Sequence, residues 1–231
     1  MILKLSIAIL LEVAYAIITR TWLRSHASGI ELELFTTGFR TVNAVVYWLL
    51  FKDLIMERRI RTGVIAHPLI VIALLLVFIF PVLIGNYDFP GTEIKVVFAL
   101  TSIVVAVKEE FLFRGVFQNL LVRRMGLFSA IVLSNIAFTV FHYGALVFAL
   151  PNIIEVFVMG SIIGIIYFAT GSITSAIVIH TMYDVIWSFT PLIMVPWPRI
   201  WGNALLIIAL GLTITWVINI HNEKYREREI A

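Results

Sequence analysis

Two adjacent glutamates inside a long apolar segment are the first sign of chemistry in this sequence. Lys108, Glu109, Glu110 and Arg114 place four charges within seven residues of an otherwise apolar run. Glu110 and Arg114 are four residues apart, so in a helix they share a face and can form an ion pair. Glu109 lies about 100° further round the helix, because 3.6 residues make one turn. We therefore interpret Glu110 as structural and Glu109 as the carboxylate that is free to react.

Two further polar pairs occur in the apolar segments that follow. Phe138 and His142 are four residues apart, and so are His180 and Asp184. In a helix this spacing places both members of a pair on one face, one turn apart. The three segments together therefore predict that Glu109, His142, His180 and Asp184 converge on one functional site.

The composition places these groups in a membrane. Hydrophobic residues make up 61% of the 231-residue chain and charged residues only 13%, with a mean hydropathy of +1.02. A water-soluble domain normally carries roughly twice that share of charge, so a soluble enzyme and a disordered chain are excluded. The absence of cysteine excludes disulfides and thiolate chemistry. The net charge of +3 does not indicate nucleic-acid binding, since the basic residues stand at the ends of apolar runs.

Eight apolar segments predict transmembrane helices, each of which needs about 20 mostly apolar residues. Tight connections at Gly126, Pro151 and Gly171 leave no room for a soluble domain between them. The fold is therefore expected to be all-α, a polytopic membrane helical bundle in which residues 1–231 form one integral membrane domain, with a motif-bearing core at about 95–190. The predicted helices span residues 4–19, 34–51, 67–85, 95–121, 127–149, 153–169, 172–190 and 201–220.

The basic residues predict the orientation of the bundle. With eight helices, the basic clusters and Lys4 fall on one side, and the positive-inside rule places both termini in the cytoplasm. Ala14-Tyr15-Ala16 is similar to a signal-peptide cleavage site, but Glu12 interrupts the apolar core, so we expect the first segment to be retained. The clusters are Lys52, Arg58, Arg59 and Arg61; Arg123 and Arg124; and Lys224, Arg226 and Arg228.

The depth of the candidate residues permits a shared site. Glu109, His142 and His180 lie 14, 16 and 9 residues from the predicted cytoplasmic ends of their helices. At about 1.5 Å per residue they lie about 21, 24 and 14 Å from that side. All three depths fall within a hydrocarbon core about 30 Å thick. Ionisable side chains at this depth cost several kcal/mol unless they are paired or hydrated, so four of them on three helices point to function.

The remaining buried charges have simpler interpretations. We expect Glu12 and Arg40 to make satisfied polar contacts or to extend towards the membrane surface. Lys108 can either neutralise a neighbouring carboxylate or extend in the same way. Glu155 and Arg199 lie near the ends of predicted helices, where an interfacial position is expected.

The three pairs together resemble the ordered motifs of the CPBP family, the CAAX prenyl protease and bacteriocin-processing group of intramembrane proteases, also called the ABI family. The resemblance covers residues 109–184, and the count of eight helices also fits. It implies an endopeptidase of a prokaryotic plasma membrane that acts on a membrane-associated peptide or protein, among membrane lipids. The matching residues are Glu109-Glu110-x-x-x-Arg114, Phe138-x-x-x-His142 and His180-x-x-x-Asp184.

The resemblance also implies a role for each matching residue. Glu109 corresponds to the catalytic glutamate, His142 to the histidine that helps it activate water, and His180 with Asp184 to the pair that stabilises the oxyanion. The prenyl-protease branch typically has asparagine at position 184, which donates a hydrogen bond, whereas aspartate donates one only when protonated. An ionised Asp184 would instead orient His180 or bind a metal. The supporting residues are Glu110, Arg114 and Phe138.

Other functions remain open at the level of sequence. A hydrolase without cofactor or metal is favoured, and the alternative is a Zn²⁺ site with Glu109, His142, His180 and Asp184 as ligands, although no HExxH motif is present. A transporter or proton relay also places such residues in mid-membrane, but no duplicated pair of interrupted helices is found. A non-catalytic membrane immunity protein is the third class.

Overall fold

The computed structural model describes residues 1–56, 67–84, 92–142, 150–188 and 196–230. Within these ranges the chain is helical throughout, apart from short connections, and contains no strand. This confirms the predicted all-α fold. Helices satisfy their backbone hydrogen bonds internally, which long apolar segments require in lipid.

The described residues form eight helices, as the sequence predicts. The helices are α1 (Ile2–His26), α2 (Gly29–Ile55), α3 (Pro68–Ile84), α4 (residues 92–125), α5 (Leu127–Phe141), α6 (Leu150–Thr170), α7 (Ile173–Ser188) and α8 (Pro196–Ile230).

Several helix ends differ from the predicted ones. The first helix was predicted to end at residue 19, but α1 continues to His26 through a π-helical segment at Ile18–Leu23. The last helix was predicted at 201–220, but α8 extends over Pro196–Ile230. The predicted ends mark where the apolar sequence stops. The backbone hydrogen bonds of both helices continue beyond that point, through polar and charged residues.

Two of the three predicted connections are glycine turns. Gly126 has a φ of 81° and Gly171 a φ of 67°, a left-handed conformation that favours glycine. The expectation for Pro151 is wrong, because α6 already begins at Leu150. Proline is well tolerated in the first turn of a helix, where its missing N–H has no partner to lose. Arg58, Arg59 and Arg61 lie outside the described residues.

Among the described residues, three stretches are long and apolar enough to cross a membrane: Ile2–His26, Ile153–Thr170 and Gly202–Ile220. Three more apolar helices are shorter. Large apolar side chains also face outward, including Leu49 with 67% and Leu100 with 72% of their surface exposed. Such extensive apolar exposure is expected for a surface that contacts lipid. The chain is therefore an integral membrane protein, and the count of eight transmembrane helices stays a prediction.

The core consists of two apolar clusters. One contains residues of α1, α2, α4 and α5, such as Tyr47, Phe113 and Phe138. The other contains residues of α3, α6, α7 and α8, such as Ile162 and Trp216, together with Ile131 of α5. Helices α4 and α7 pack against each other where the two clusters meet. The polar residues predicted to do chemistry lie on α4, α5 and α7, and so fall between the two clusters.

Candidate active site

Glu109 and Glu110 end the α-helical part of α4. This helix is α-helical over Thr92–Glu110, π-helical over Phe111–Gln118 and α-helical again over Asn119–Met125. Glu109 is 6% exposed and Glu110 is fully buried. Short π-helical segments within α-helices are frequent at functional sites. The two carboxylates thus stand where regular helical geometry stops.

Glu109 lies between the two histidines of the predicted site. Its Oε2 is 3.5 Å from Nε2 of His142 and 3.9 Å from Nε2 of His180. Within the described part of the chain this buried oxygen has no hydrogen-bond partner. A buried carboxylate oxygen normally has one. Oε2 of Glu110 also lacks a hydrogen bond in these residues, although Nε of Arg114 lies 3.3 Å from it.

His142 follows the last residue of α5 and is oriented by the backbone. Its Nδ1 is 2.8 Å from the carbonyl oxygen of Phe138. A carbonyl only accepts hydrogen bonds, so the proton of the imidazole belongs on Nδ1 and Nε2 is left to face Glu109. The ring of Phe138 packs against this imidazole, with centroids 4.4 Å apart. The four-residue spacing of Phe138 and His142 thus fixes both the tautomer and the position of His142.

His180 on α7 contacts both glutamates. Its Nδ1 is 2.7 Å from Oε1 of Glu110, and its Nε2 lies 3.7 Å from Oδ2 of Asp184. Because an ionised carboxylate only accepts, Nδ1 donates to Glu110 and Nε2 points to the space shared by Glu109 and Asp184. The structure therefore brings all four predicted site residues, Glu109, His142, His180 and Asp184, to one buried place.

Arg114 holds the other side of Glu110. Its Nε is 3.3 Å from Oε2 of Glu110, which confirms the ion pair expected from their spacing. Its Nη2 donates to the carbonyl oxygen of Gly160 on α6 at 2.8 Å and to Oδ1 of Asn135 at 3.4 Å. The guanidinium also lies 4.6 Å from the centre of the Phe138 ring. Glu110 is thus held from two directions, while Glu109 is not.

Asn135 was missed by the sequence analysis. It lies on α5, is 1% exposed and accepts a hydrogen bond from Arg114. Its Nδ2 donates to the carbonyl oxygen of Ile131, one turn earlier. The available signal was its position seven residues before His142, two turns away on the same helix face.

Lys108 pairs with a distant carboxylate. Its Nζ is 2.8 Å from Oε2 of Glu12 on α1, so it neutralises a carboxylate, but not one of its neighbours in sequence. Glu12 also accepts hydrogen bonds from the Tyr47 hydroxyl and, at 3.5 Å, from Nδ2 of Asn43. The expectation that Glu12 makes a satisfied polar contact is confirmed.

Arg40 and Glu155 also have protein partners. Arg40 pairs with Glu33 at 2.7 Å and donates to the Tyr15 hydroxyl at 3.0 Å, as expected for a satisfied polar contact. Glu155 is 9% exposed and accepts a hydrogen bond of 2.7 Å from Tyr183 on α7. The interfacial depth expected for Glu155 stays a prediction. Nothing is described of the side chain of Arg199.

The donor set was also tested for a metal site. Among the described residues, no group of three or more histidine, aspartate or glutamate side chains is arranged so that it can hold a metal ion. Glu109 and the two imidazoles approach one another through Nε2 of each ring, while Nδ1 of His180 contacts Glu110 and Nδ1 of His142 contacts the backbone. Such contacts of Nδ1 fix the orientation of an imidazole for proton transfer and are equally usual in histidines that bind a metal.

Comparison with protein families agrees with this geometry. A family model described as Type II CAAX prenyl endopeptidase Rce1-like matches residues 91–186. Residues 91–186 are an Rce1-like domain. This confirms the resemblance to the CPBP family that the motifs indicate. Comparison of the chain with curated proteins and with solved structures gave no match.

The Rce1-like domain runs from the start of α4 to the end of α7. It contains Glu109, His142, His180 and Asp184, and therefore every side chain of the cluster described above. The family model describes prenyl endopeptidases and covers less than half of the chain, so residues 91–186 are similar to proteases of the CAAX type. Helices α1, α2, α3 and α8 lie outside the matched residues.

Proposed function

We propose that this protein is an intramembrane endopeptidase that hydrolyses a peptide bond of a membrane-associated protein or peptide, with Glu109 as general base. The observation that carries the proposal is the buried Oε2 of Glu109, which faces two imidazoles and has no hydrogen-bond partner in the described residues. A general base needs an available oxygen beside a site for water. Burial among apolar helices excludes bulk water and strengthens each electrostatic contact.

Glu109 and His142 together hold the attacking water in this mechanism. Their facing atoms are 3.5 Å apart, and each is a hydrogen-bond acceptor when His142 carries its proton on Nδ1. A water molecule has two hydrogens and can donate one to each acceptor. Glu109 then takes a proton from the water as its oxygen attacks the peptide carbonyl, and the same carboxyl group protonates the leaving amine.

His180 stabilises the oxyanion. With Nδ1 bound to Glu110, the imidazole donates from Nε2 only when both nitrogens carry protons, and Glu109, Glu110 and Asp184 surround that cation with carboxylates. A donor at this position offsets the charge that develops on the carbonyl oxygen, which is normally a large contribution to catalysis. Asp184 lies beside the same nitrogen and either donates a second hydrogen bond as a neutral acid or holds His180 in place.

The mechanism uses no metal and no cofactor. None of the proposed steps requires a Lewis acid, because Glu109 takes the proton of the water and His180 supplies the donor to the oxyanion. We expect hydrolysis to continue in the presence of a zinc chelator such as 1,10-phenanthroline. Loss of activity with the chelator and recovery with added Zn²⁺ would establish the alternative ligand set of Glu109, His142, His180 and Asp184.

The proposal includes the setting of the enzyme. We infer that it lies in the plasma membrane of a prokaryotic cell. We also infer that both termini lie in the cytoplasm, because the basic clusters fall on one side of eight helices. Membrane lipids surround it, and nucleic acid is not a partner. The buried position of the site between helices supports a substrate that is itself anchored in or on the membrane.

The test uses the full chain reconstituted into liposomes, with a farnesylated CaaX peptide and the same peptide without the lipid as probes. We expect wild-type protein to cleave a probe, and folded Glu109→Gln and His142→Ala variants to lose at least 100-fold in kcat. Retained cleavage by Glu109→Gln would reject the mechanism. Failure of the wild-type protein to cleave either probe would instead favour a proton relay or a non-catalytic membrane protein.

A further inference from the structure

Lys108 precedes Glu109 but is directed to another part of the molecule. It is 1% exposed, and its ammonium group lies 2.8 Å from Glu12 of α1. Glu12 in turn accepts hydrogen bonds from Tyr47 and Asn43 of α2. The proposed mechanism uses none of these four side chains. They connect the helix that carries the general base to two helices that lie outside the Rce1-like domain.

The ammonium group of Lys108 also contacts two aromatic rings. It lies 4.5 Å from the ring centre of Tyr15 on α1 and 4.4 Å from that of Phe141 on α5. Both distances fall in the range of a cation–π interaction. Lys108 directly precedes Glu109 and Phe141 directly precedes His142, so this contact joins the sequence neighbours of the two residues proposed to hold the attacking water.

Glu109 is therefore flanked by two anchored residues. Lys108 is held towards α1, and Glu110 is held by His180 of α7 and by Arg114. The π-helical segment begins at Phe111, so the α-helical hydrogen-bonding pattern that contains Lys108, Glu109 and Glu110 changes just after them. The anchored side chains on either side therefore add to the backbone in setting the rotation of α4 at Glu109.

Stability alone does not account for the pair of Lys108 and Glu12. Removing two charges from water is costly, and well-packed apolar residues in place of a buried ion pair are often equally or more stabilising. An ion pair fixes the relative position of two helices more closely than apolar contacts do. Its position, directly before the carboxylate that needs a fixed geometry, is what distinguishes this pair from other buried contacts in the chain.

We propose that Lys108 is a positioning residue for Glu109 and that Glu12 of α1 holds Lys108 in place. The inference rests on the proposed role of Glu109 as general base. It makes α1 part of the functional unit, although the family match begins only at residue 91. A base that is displaced by about 1 Å loses roughly 100-fold in rate, so a modest movement of α4 is sufficient.

The first test compares Lys108→Met and Glu12→Gln with wild-type protein, with the farnesylated CaaX peptide as substrate. Because neither residue contacts substrate, we expect kcat to fall roughly 10- to 100-fold with KM changed less than about twofold. Lys108→Arg should recover much of the loss. The control is Tyr167→Phe, which removes an equally buried hydrogen bond of 2.7 Å to Asn119 and should keep the wild-type kcat.

The same assay separates the two proposals. Activity of Glu109→Gln would overturn the proposed function itself. An inactive Glu109→Gln together with wild-type kcat in Lys108→Met and Glu12→Gln would overturn the inference about Lys108 alone. A fall in kcat that Tyr167→Phe reproduces would also count against it, because any lost buried contact would then have the same effect.

A second test replaces the ion pair by a covalent link and does not depend on the folding of Lys108→Met. The chain has no cysteine, so Glu12→Cys/Lys108→Cys carries the only two thiols. A short bis-thiosulfonate reagent then joins α1 to α4 without any charge. We expect low kcat in the unlinked protein, recovery by at least fivefold on cross-linking and loss again on reduction. A folded, cross-linked protein that stays inactive would contradict a positioning role and indicate that the charge itself is needed.

Discussion

At the scale of single residues, Asp184 departs from the pattern that the rest of the site follows. The prenyl-protease branch that this chain resembles typically has asparagine at this position. Oδ2 of Asp184 lies 3.7 Å from Nε2 of His180, on the same face of α7. A neutral acid and an amide both donate a hydrogen bond from this position, whereas an ionised carboxylate cannot. The chemistry of the site thus depends on whether Asp184 is protonated and donates a hydrogen bond, or is ionised and only accepts one.

We expect Asp184→Asn to keep kcat within about fivefold of wild type, because the amide supplies the same donor as a protonated Asp184. Asp184→Ala removes the donor and should lower kcat by about 10²- to 10³-fold, the range found when one oxyanion donor is lost. The measurement is kcat in the peptide assay, with folding checked by size-exclusion chromatography. An inactive Asp184→Asn would show that the negative charge beside His180 is required.

Arg114 is the residue on which the stability of the site depends most directly. It is fully buried and is the basic partner of the equally buried Glu110. Arg114→Ala leaves an uncompensated charge in the core, and we expect it to lower the free energy of unfolding by about 3–5 kcal/mol. Arg124→Ala is the control, because this side chain is exposed and surface substitutions usually change the free energy of unfolding by about 0.5 kcal/mol or less. Chemical denaturation in detergent measures both, and equal losses would contradict this account.

The contacts between side chains could be predicted from the sequence only over short separations. The pair of Glu110 and Arg114 follows from helical spacing, and the structure confirms it. The partner of Lys108 could not be predicted, because Glu12 is 96 residues away and nothing in a local pattern specifies which helices pack together. The contact of Glu155 with Tyr183 could not be predicted for the same reason, since the two residues lie on different helices, 28 residues apart.

At the scale of helices, α6 packs closely at Gly160 against side chains of α5 and α4. A Cβ atom on Gly160 would lie 2.6 Å from Oδ1 of Asn135 and 3.2 Å from Nη2 of Arg114. Both side chains are buried and hydrogen-bonded, so they cannot move away freely. Small residues at such crossings let helix backbones come together in membranes. The carbonyl oxygen of Gly160 then becomes available to the guanidinium group.

Gly160→Ala is therefore expected to lower the free energy of unfolding by about 1–3 kcal/mol through overpacking, and to lower activity because it displaces Arg114. Gly211→Ala on α8 is the control, since a Cβ atom there meets nothing within 4 Å. Alanine favours a helix over glycine, so the control should be neutral or slightly stabilising. Thermal unfolding of the two variants measures the difference. If Gly160→Ala were as stable as Gly211→Ala, the helices around Gly160 would be able to move apart without loss of stability.

The existence of the helices could be predicted far better than their ends. Long charge-free runs leave the backbone no alternative to a helix in lipid, which is why each predicted segment has a helix in the described residues. The π-helical segment at Phe111–Gln118 could not be predicted, because it depends on packing around Arg114 and its neighbours. Helix α1 extends beyond its apolar part, because its backbone hydrogen bonds continue after the apolar residues end.

At the scale of the whole molecule, the site lies where two apolar clusters meet. Glu109 and His142 come from the helices of one cluster, and His180 and Asp184 from α7, whose apolar residues belong to the other. The composition was sufficient to predict a membrane protein, and the three motifs indicated the family. The sequence could not show that the two halves meet at these residues, because this depends on the packing of α4 against α7.

The orientation of the bundle in the membrane can be measured by labelling single introduced cysteines, because the chain has no cysteine of its own. We expect Ile2→Cys and Arg124→Cys to lie in the cytoplasm and Ser28→Cys to lie outside, because the basic clusters draw both termini inwards. All three positions are exposed. In intact cells a membrane-impermeant maleimide should label only Ser28→Cys, and after permeabilisation it should label all three.

Labelling of Ile2→Cys in intact cells would show that the orientation is the opposite of the predicted one. Labelling of Ile2→Cys and Ser28→Cys together would mean that α1 does not cross the membrane, in which case the depth of Glu12 and its contact with Lys108 would need another explanation.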